Sequence, residues 1–170
     1  MAKPILDEAL WAVLELVLPP DPPRPRGGQP RVAARQVVTG ILFGRRRGIP
    51  WELLPKELGG GSGMTCWRRL REWPAQGVWQ RIPHELLNWL GQRGVLDWSR
   101  ARLHSGSVPA KRGGPATGPN PTDRGKAGTK RPVVVDRQGL PVAVKVTAAN
   151  DHDGPVFEPL LEAIPPLQGR

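Results

Sequence analysis

The chain has 170 residues, a formal net charge of +10 and a pI near 11.2. That length allows one ordinary domain or two small ones, and the charge favours a polyanionic partner such as nucleic acid. The single cysteine, Cys66, excludes an intramolecular disulfide and a multi-cysteine zinc site, and no apolar run approaches the ~20 residues of a membrane span. Asp7, Glu8 and Glu15 make the N-terminus unlike a signal peptide, so a cytoplasmic protein with no membrane partner is expected. Glycine and proline, 21 each, point to poorly ordered stretches, yet 38% hydrophobic residues and seven tryptophans require at least one core.

Residues 5–18 place Ile5, Leu6, Leu10, Val13, Leu14 and Val17 at helical spacing, with acids in the first turn and Pro19–Pro20 as the stop. Residues 19–30 form a proline linker. A second helix carries Val32, Val37, Val38, Ile41 and Leu42 inward, with Arg45, Arg46 and Arg47 crowding its C-terminus before Gly48. Three helical pieces follow, at about 51–58, from Ser62 or Thr65 to Trp73, and about 78–91. In the middle piece Trp67, Leu70 and Trp73 share one face, while Arg68, Arg69 and Arg71 lie largely on another. A short helix, a glycine turn and a basic helix together resemble a helix-turn-helix.

Beyond Gly94 the periodicity changes to that of strands. Residues 99–108 predict a strand entering a long basic loop. Residues 133–147 predict a hairpin turning at 136–139, and FEPLLEAIPPL predicts a helix near 156–164 with Phe157, Leu160, Leu161 and Ile164 inward. The expected class is α+β, with a helical module at 1–92 and a second module at 93–170 that contains a basic loop at 104–131. That loop carries Lys111, Arg112, Arg124, Lys126, Lys130 and Arg131 against one acid, Asp123, a composition suited to a phosphate backbone. The candidate DNA-binding residues are therefore Arg68, Arg69, Arg71, Lys111, Arg112, Arg124, Lys126, Lys130 and Arg131. Asp136 is expected to do turn chemistry, and the NDHD run at 150–153 to cap a helix rather than hold a metal. No Ser/His/Asp or Cys/His set and no Walker A loop is present.

GIPWELLPKELGGGSGMTCWRRLREWPAQGVW, then LDWSRARL, KRGGPATGPNPTDRGKAGTKR, VVVD, GLPVAVKVTAAN and HD, in that order, resemble bacterial insertion-sequence transposases of the DDE type. The resemblance runs from about residue 8 to the end. It implies an N-terminal helical DNA-binding region followed by a ribonuclease-H-like catalytic domain, here an incomplete one. In that family three carboxylates hold two magnesium ions and cut and join DNA at element ends. His104 occupies the position of the family's first catalytic aspartate, where an imidazole nitrogen replaces a hard anionic oxygen. The family's other two carboxylates are expected downstream of the helix near 156–164, so no catalytic residue, no metal ligand and no cofactor is assigned to this chain; Mg2+ is expected only in a complete family member. Arg102–Leu103 replaces an aliphatic strand interior and should sit poorly in a sheet centre.

The resulting expectation is the DNA-binding part of a transposase, truncated and catalytically incompetent alone. Its partners would be the double-stranded terminal repeats of the element, with a downstream-frame product or a full-length transposase as protein partner. The alternatives are a trans-acting regulator that occupies element ends without cutting, and a decayed remnant.

Overall fold

The computed structural model describes residues 4–23, 27 and 29–167, so parts of the expected proline linker, at 24–26 and 28, lie outside the described residues. The chain divides into two compact units, Met1–Leu86 and Leu87–Arg170.

The first unit is helical. Helix α1 (Glu8–Glu15) starts later than the apolar spacing predicts, because the Asp7 carboxylate accepts the Leu10 N–H at 2.8 Å and so caps the helix there. Helix α2 (Ala34–Arg47) buries Val37, Val38 and Ile41, and Gly48 closes it in the left-handed conformation at φ 65°. The expected helix at 51–58 is instead two 3₁₀ turns, Trp51–Leu53 and Lys56–Leu58. Pro55 lacks an N–H and holds Leu54 extended at ψ 124°, which interrupts the helix between them. Ser62, not Thr65, caps α3 (Gly63–Glu72), its side chain accepting the Thr65 N–H. A 3₁₀ turn, Trp73–Gln76, leads into α4 (Val78–Gln92).

The core of this unit joins Leu6, Leu14, Val37, Val38, Ile41, Leu54, Cys66, Trp73 and Val78. Full burial of Val37, Val78 and Leu54 contributes about 1.5–3 kcal/mol each. Trp73 meets Trp79 edge-on, with ring centroids 5.9 Å apart. Helices α2 and α3 approach closely because Gly40 has no side chain: a Cβ there would stand 2.7 Å from the Cys66 Sγ.

The second unit is a five-stranded antiparallel sheet with one helix. Strand β3 (Ala127–Val135) is its axis. Strand β1 (Arg102–Pro109) pairs along one edge of β3 in unbroken register, from Arg102↔Val135 to Pro109↔Gly128. The other edge is shared by β2 (Gly118–Pro119), β4 (Pro141–Val144) and β5 (Thr147–Ala148). The predicted loop at 104–131 is thus strand at both of its ends, and only 110–126, apart from β2, lies outside β1 and β3. Glycine, proline and serine hide the alternation in this segment, and the pairing that makes it sheet is non-local. Arg102 escapes the burial expected of it because β1 is an edge strand and the residue is exposed.

Helix α5 (Gly154–Glu162) packs on β3 and β4 through Leu160, which is fully buried, with Ile164 beside it. Phe157 and Leu161, expected inward, are 45% and 41% exposed. The expected cap from residues 150–153 does not form. Asp153, at the cap position, makes no cap hydrogen bond, and the Asp151 carboxylate accepts the Ala148 N–H instead. Asp136 does the turn chemistry expected of it: buried, it accepts the Gln138 and Leu140 N–H groups through Oδ1 and that of Asp97 through Oδ2.

Gly63 starts α3 directly against the Trp51 carbonyl, where a Cβ would fall 1.6 Å from the oxygen. Gly63→Ala is expected to destabilise the chain by about 3 kcal/mol, because backbone on both sides must move. Thermal unfolding followed by circular dichroism checks this, and an unchanged Tm would contradict the packing described.

Candidate nucleic-acid interface

The nine candidate cations separate by what already holds them. Arg69 follows Cys66 by three residues and precedes Trp73 by four, so the helical repeat places it on the inner face of α3. It is 6% exposed, and its guanidinium donates to the Asp21 carboxylate at 2.7 Å and to the Val32 carbonyl. The guanidinium of Arg69, expected to face DNA, is instead buried and paired inside the unit. Lys130 is similarly engaged. It lies on the covered face of the sheet with its side chain 15% exposed, donating to the Asp151 carbonyl and pairing with Asp153 at 3.3 Å.

The other seven are exposed. Arg71 stacks its guanidinium over Trp67, 5.1 Å from the ring centroid, which orients it without neutralising it. Lys126 shares a loose pair with Asp123 at 3.4 Å, worth little in solvent. Arg68, Lys111, Arg112, Arg124 and Arg131 make no hydrogen bond or ion pair with other described residues. A groove of about 420 Å³ beside α3 is lined by Arg31, Arg68, Arg69 and Glu72, among others, and the Arg31–Glu72 ion pair of 3.0 Å sits in it.

In the second unit the strand register decides which side chains share a face. Paired residues project to the same side, so Arg102, His104, Gly106 and Arg131 line the face away from α5, together with Val133 and Val144. Val144 is 61% exposed, which marks this face as open. The opposite face carries Val134, Pro132 and Lys130 toward the core. Arg102 belongs to the basic face although its position in the sequence suggested only a misfit; the signal available was its i, i+2 spacing to His104 within one strand.

A divalent ion, which the family resemblance implies, does not fit at position 104. His104 offers a nitrogen, and its neighbours on that face of the ribbon are the cations Arg102 and Arg131. Among the described residues no three His, Cys, Asp or Glu side chains converge. A magnesium ion needs several oxygen donors and is repelled by adjacent guanidinium groups.

Among the described residues four titratable groups depart from their ordinary values: Asp97 and Glu8 are lowered, Cys66 and Glu8's partner Arg35 raised. The Ser99 hydroxyl and N–H donate to Asp97 Oδ1, at 2.6 and 3.0 Å, and hold that carboxyl below the usual range. Hydrogen bonds from Arg35 lower Glu8 and fasten α1 to α2. Burial pushes the Cys66 thiol up, which leaves it an inert packing residue.

Residues 6–83 match a family described as "Putative transposase of IS4/5 family", and residues 88–170 match one described as "Transposase DDE domain". A relative from Burkholderia cepacia, "Insertion element IS402 uncharacterized 16.2 kDa protein", is 46% identical over 123 residues, covering 71% of this chain and 84% of the relative. The chain belongs to the IS4/5 family of insertion-sequence transposases. A second Burkholderia cepacia protein, "Putative transposase for insertion sequence element IS402", is 49% identical over 57 residues, which is 34% of this chain and 27% of that protein. No solved structure matches the chain. Among the described residues no helix of this IS4/5-family chain is long and apolar enough to cross a membrane.

The sorting of cations in this transposase-family chain separates those that hold the fold from those that face solvent. Arg69→Ala is expected to cost about 2 kcal/mol of stability, because Asp21 and the Val32 carbonyl lose a charged donor. Arg68→Ala, one position away and solvent-facing, should leave Tm within a degree or so. Urea titration and thermal unfolding of both variants check this; equal losses would place Arg69 on the surface.

Proposed function

We propose that this chain is the DNA-binding part of an insertion-sequence transposase and carries no metal-dependent cutting site of its own. One observation supports the reading above the rest. Of the nine candidate cations, Arg68, Lys111, Arg112, Arg124 and Arg131 are exposed and make no hydrogen bond or ion pair with other described residues. Exposed guanidinium and ammonium groups free of internal partners gain most from releasing the counterions of a phosphate backbone.

In this reading the first unit is helix-turn-helix-like, with α3 presenting Arg68 and Arg71 to duplex DNA. The second unit is part of a ribonuclease-H-like domain, a reading supported by its antiparallel sheet covered on one face by a single helix. The DNA bound is the terminal repeat at the element's ends. A second reading is favoured by His104 standing between Arg102 and Arg131: a chain that occupies element ends without cutting acts as a regulator that competes with active transposase.

Binding to terminal-repeat duplex should fall steeply with salt, each phosphate contact adding about 0.9 to the slope of log K against log salt. Replacing Arg68, Lys111, Arg112 and Arg131 together by alanine should lower that slope by about 3.6. Fluorescence anisotropy at four or five salt concentrations measures it, and an unaltered slope would remove these residues from the interface.

Incubated with supercoiled or end-labelled element DNA and magnesium, the purified chain should produce no strand breaks above a mock preparation. His104→Asp should not change this. Reproducible nicking by the wild-type chain would overturn the reading of a non-cutting binder.

A further inference from the structure

Arg124 is the only non-glycine residue with positive φ, 52°, among those described. An L-residue other than glycine, asparagine or aspartate pays about 1 kcal/mol to sit there. Gly125 follows at φ 72°, so two left-handed residues stand in succession. The surrounding loop leaves the backbone no alternative. Asn120, 5% exposed, donates its N–H to the Lys126 carbonyl at 2.8 Å, which closes the loop. Its own carbonyl accepts the N–H groups of Asp123 and Gly125, at 3.1 and 2.9 Å. Its side-chain oxygen accepts the N–H and hydroxyl of Thr122, at 3.1 and 2.8 Å. The base of the loop is pinned to the sheet, since a Cβ on Gly128 would lie 3.1 Å from the Cβ atoms of both Asn120 and Ala149.

The strain at Arg124 is not offset within the described structure. Its side chain is exposed and makes no hydrogen bond or ion pair there. Glycine would take the same conformation freely. Phosphate binding does not demand such rigidity, because flexible cations on an open surface suffice, and Lys111, Arg112 and Arg131 already supply them. A base edge is different. It asks for a planar donor fork held from a fixed backbone, so that two hydrogen bonds form in one geometry.

We propose, resting on the DNA-binding reading above, that Arg124 is a base-reading finger: the closed Asn120–Lys126 loop carries it into a groove of the duplex, where its guanidinium donates to base edges while Lys111 and Arg112 hold flanking phosphates. The residue then sets sequence preference, not general affinity.

The test uses the full chain as wild type, Arg124→Gly and Lys111→Ala, with selection from a random duplex pool, affinities at several salt concentrations, and thermal unfolding. Arg124→Gly should raise Tm by a few degrees, because glycine relieves the strain. It should lose roughly tenfold in affinity for the selected duplex while non-specific affinity changes little, and preference at one or two adjacent positions should relax. Lys111→Ala should weaken all duplexes alike and lower the salt slope by about 1. A uniform loss with a matching fall in slope for Arg124→Gly would make the residue a phosphate contact and overturn the proposal. So would unchanged binding of the selected duplex, a wild type without sequence preference, or a fall in Tm. Failure of the wild-type chain to bind any duplex would overturn the DNA-binding reading and this one together; binding with no effect of Arg124→Gly overturns this one alone.

Discussion

Twenty-five lysines and arginines face fifteen acids in a chain with two small cores, and their mutual repulsion constrains where every charged side chain can go. The structure meets the constraint in three ways. Interior cations receive an acid each: Arg69 has Asp21, and Lys130 has Asp153. Some guanidinium groups lie on aromatic rings, as Arg35 does on Trp11, Arg47 on Phe43, Arg71 on Trp67 and Arg93 on Trp89. The remainder project into solvent, spread along α3, the 110–126 segment and the open face of the sheet. A compact state that keeps so much like charge at its surface gains from any polyanion that screens it.

That imbalance also bears on position 104. In a site built to hold divalent cations, neighbouring guanidinium groups must be balanced by carboxylates. Here the ribbon face has the cations and lacks the carboxylates. The same arrangement that disfavours a magnesium ion favours a phosphodiester, because a phosphate oxygen is attracted where a metal is repelled. Loss of the aspartate implied by the family pattern and gain of Arg102 on the same face act in one direction: both make that face more positive.

Structural and solvent-facing roles separate cleanly within short stretches. On α3, consecutive arginines differ completely: Arg68 is a surface cation and Arg69 a core ion-pair member. In the 120–126 loop, Asn120 supplies the hydrogen bonds and Arg124 carries the conformational cost. Buried polar residues with every bond satisfied organise the local backbone, and exposed residues held in costly conformations are the ones available for work outside it.

The sequence by itself determined the α-helices of the first unit to within a few residues, though not the 3₁₀ turns at 51–58, together with the turn at Asp136, because these depend on contacts between near neighbours: apolar spacing, a cap three residues away, an N–H that proline lacks. The ordered strings of the transposase pattern also identified the family without any structure. Tertiary structure alone decided that the strand at 102–109 pairs with 127–135 and that residues 127–132 are strand, that β1 is an edge strand, that Arg69 and Lys130 point inward, and that Phe157 and Leu161 do not. Each of these turns on partners distant in sequence, and composition hides them: a glycine- and proline-rich strand looks like a loop until its ladder is formed, and a helical arginine looks exposed until the aspartate that pairs with it, 48 residues away, is seen beside it.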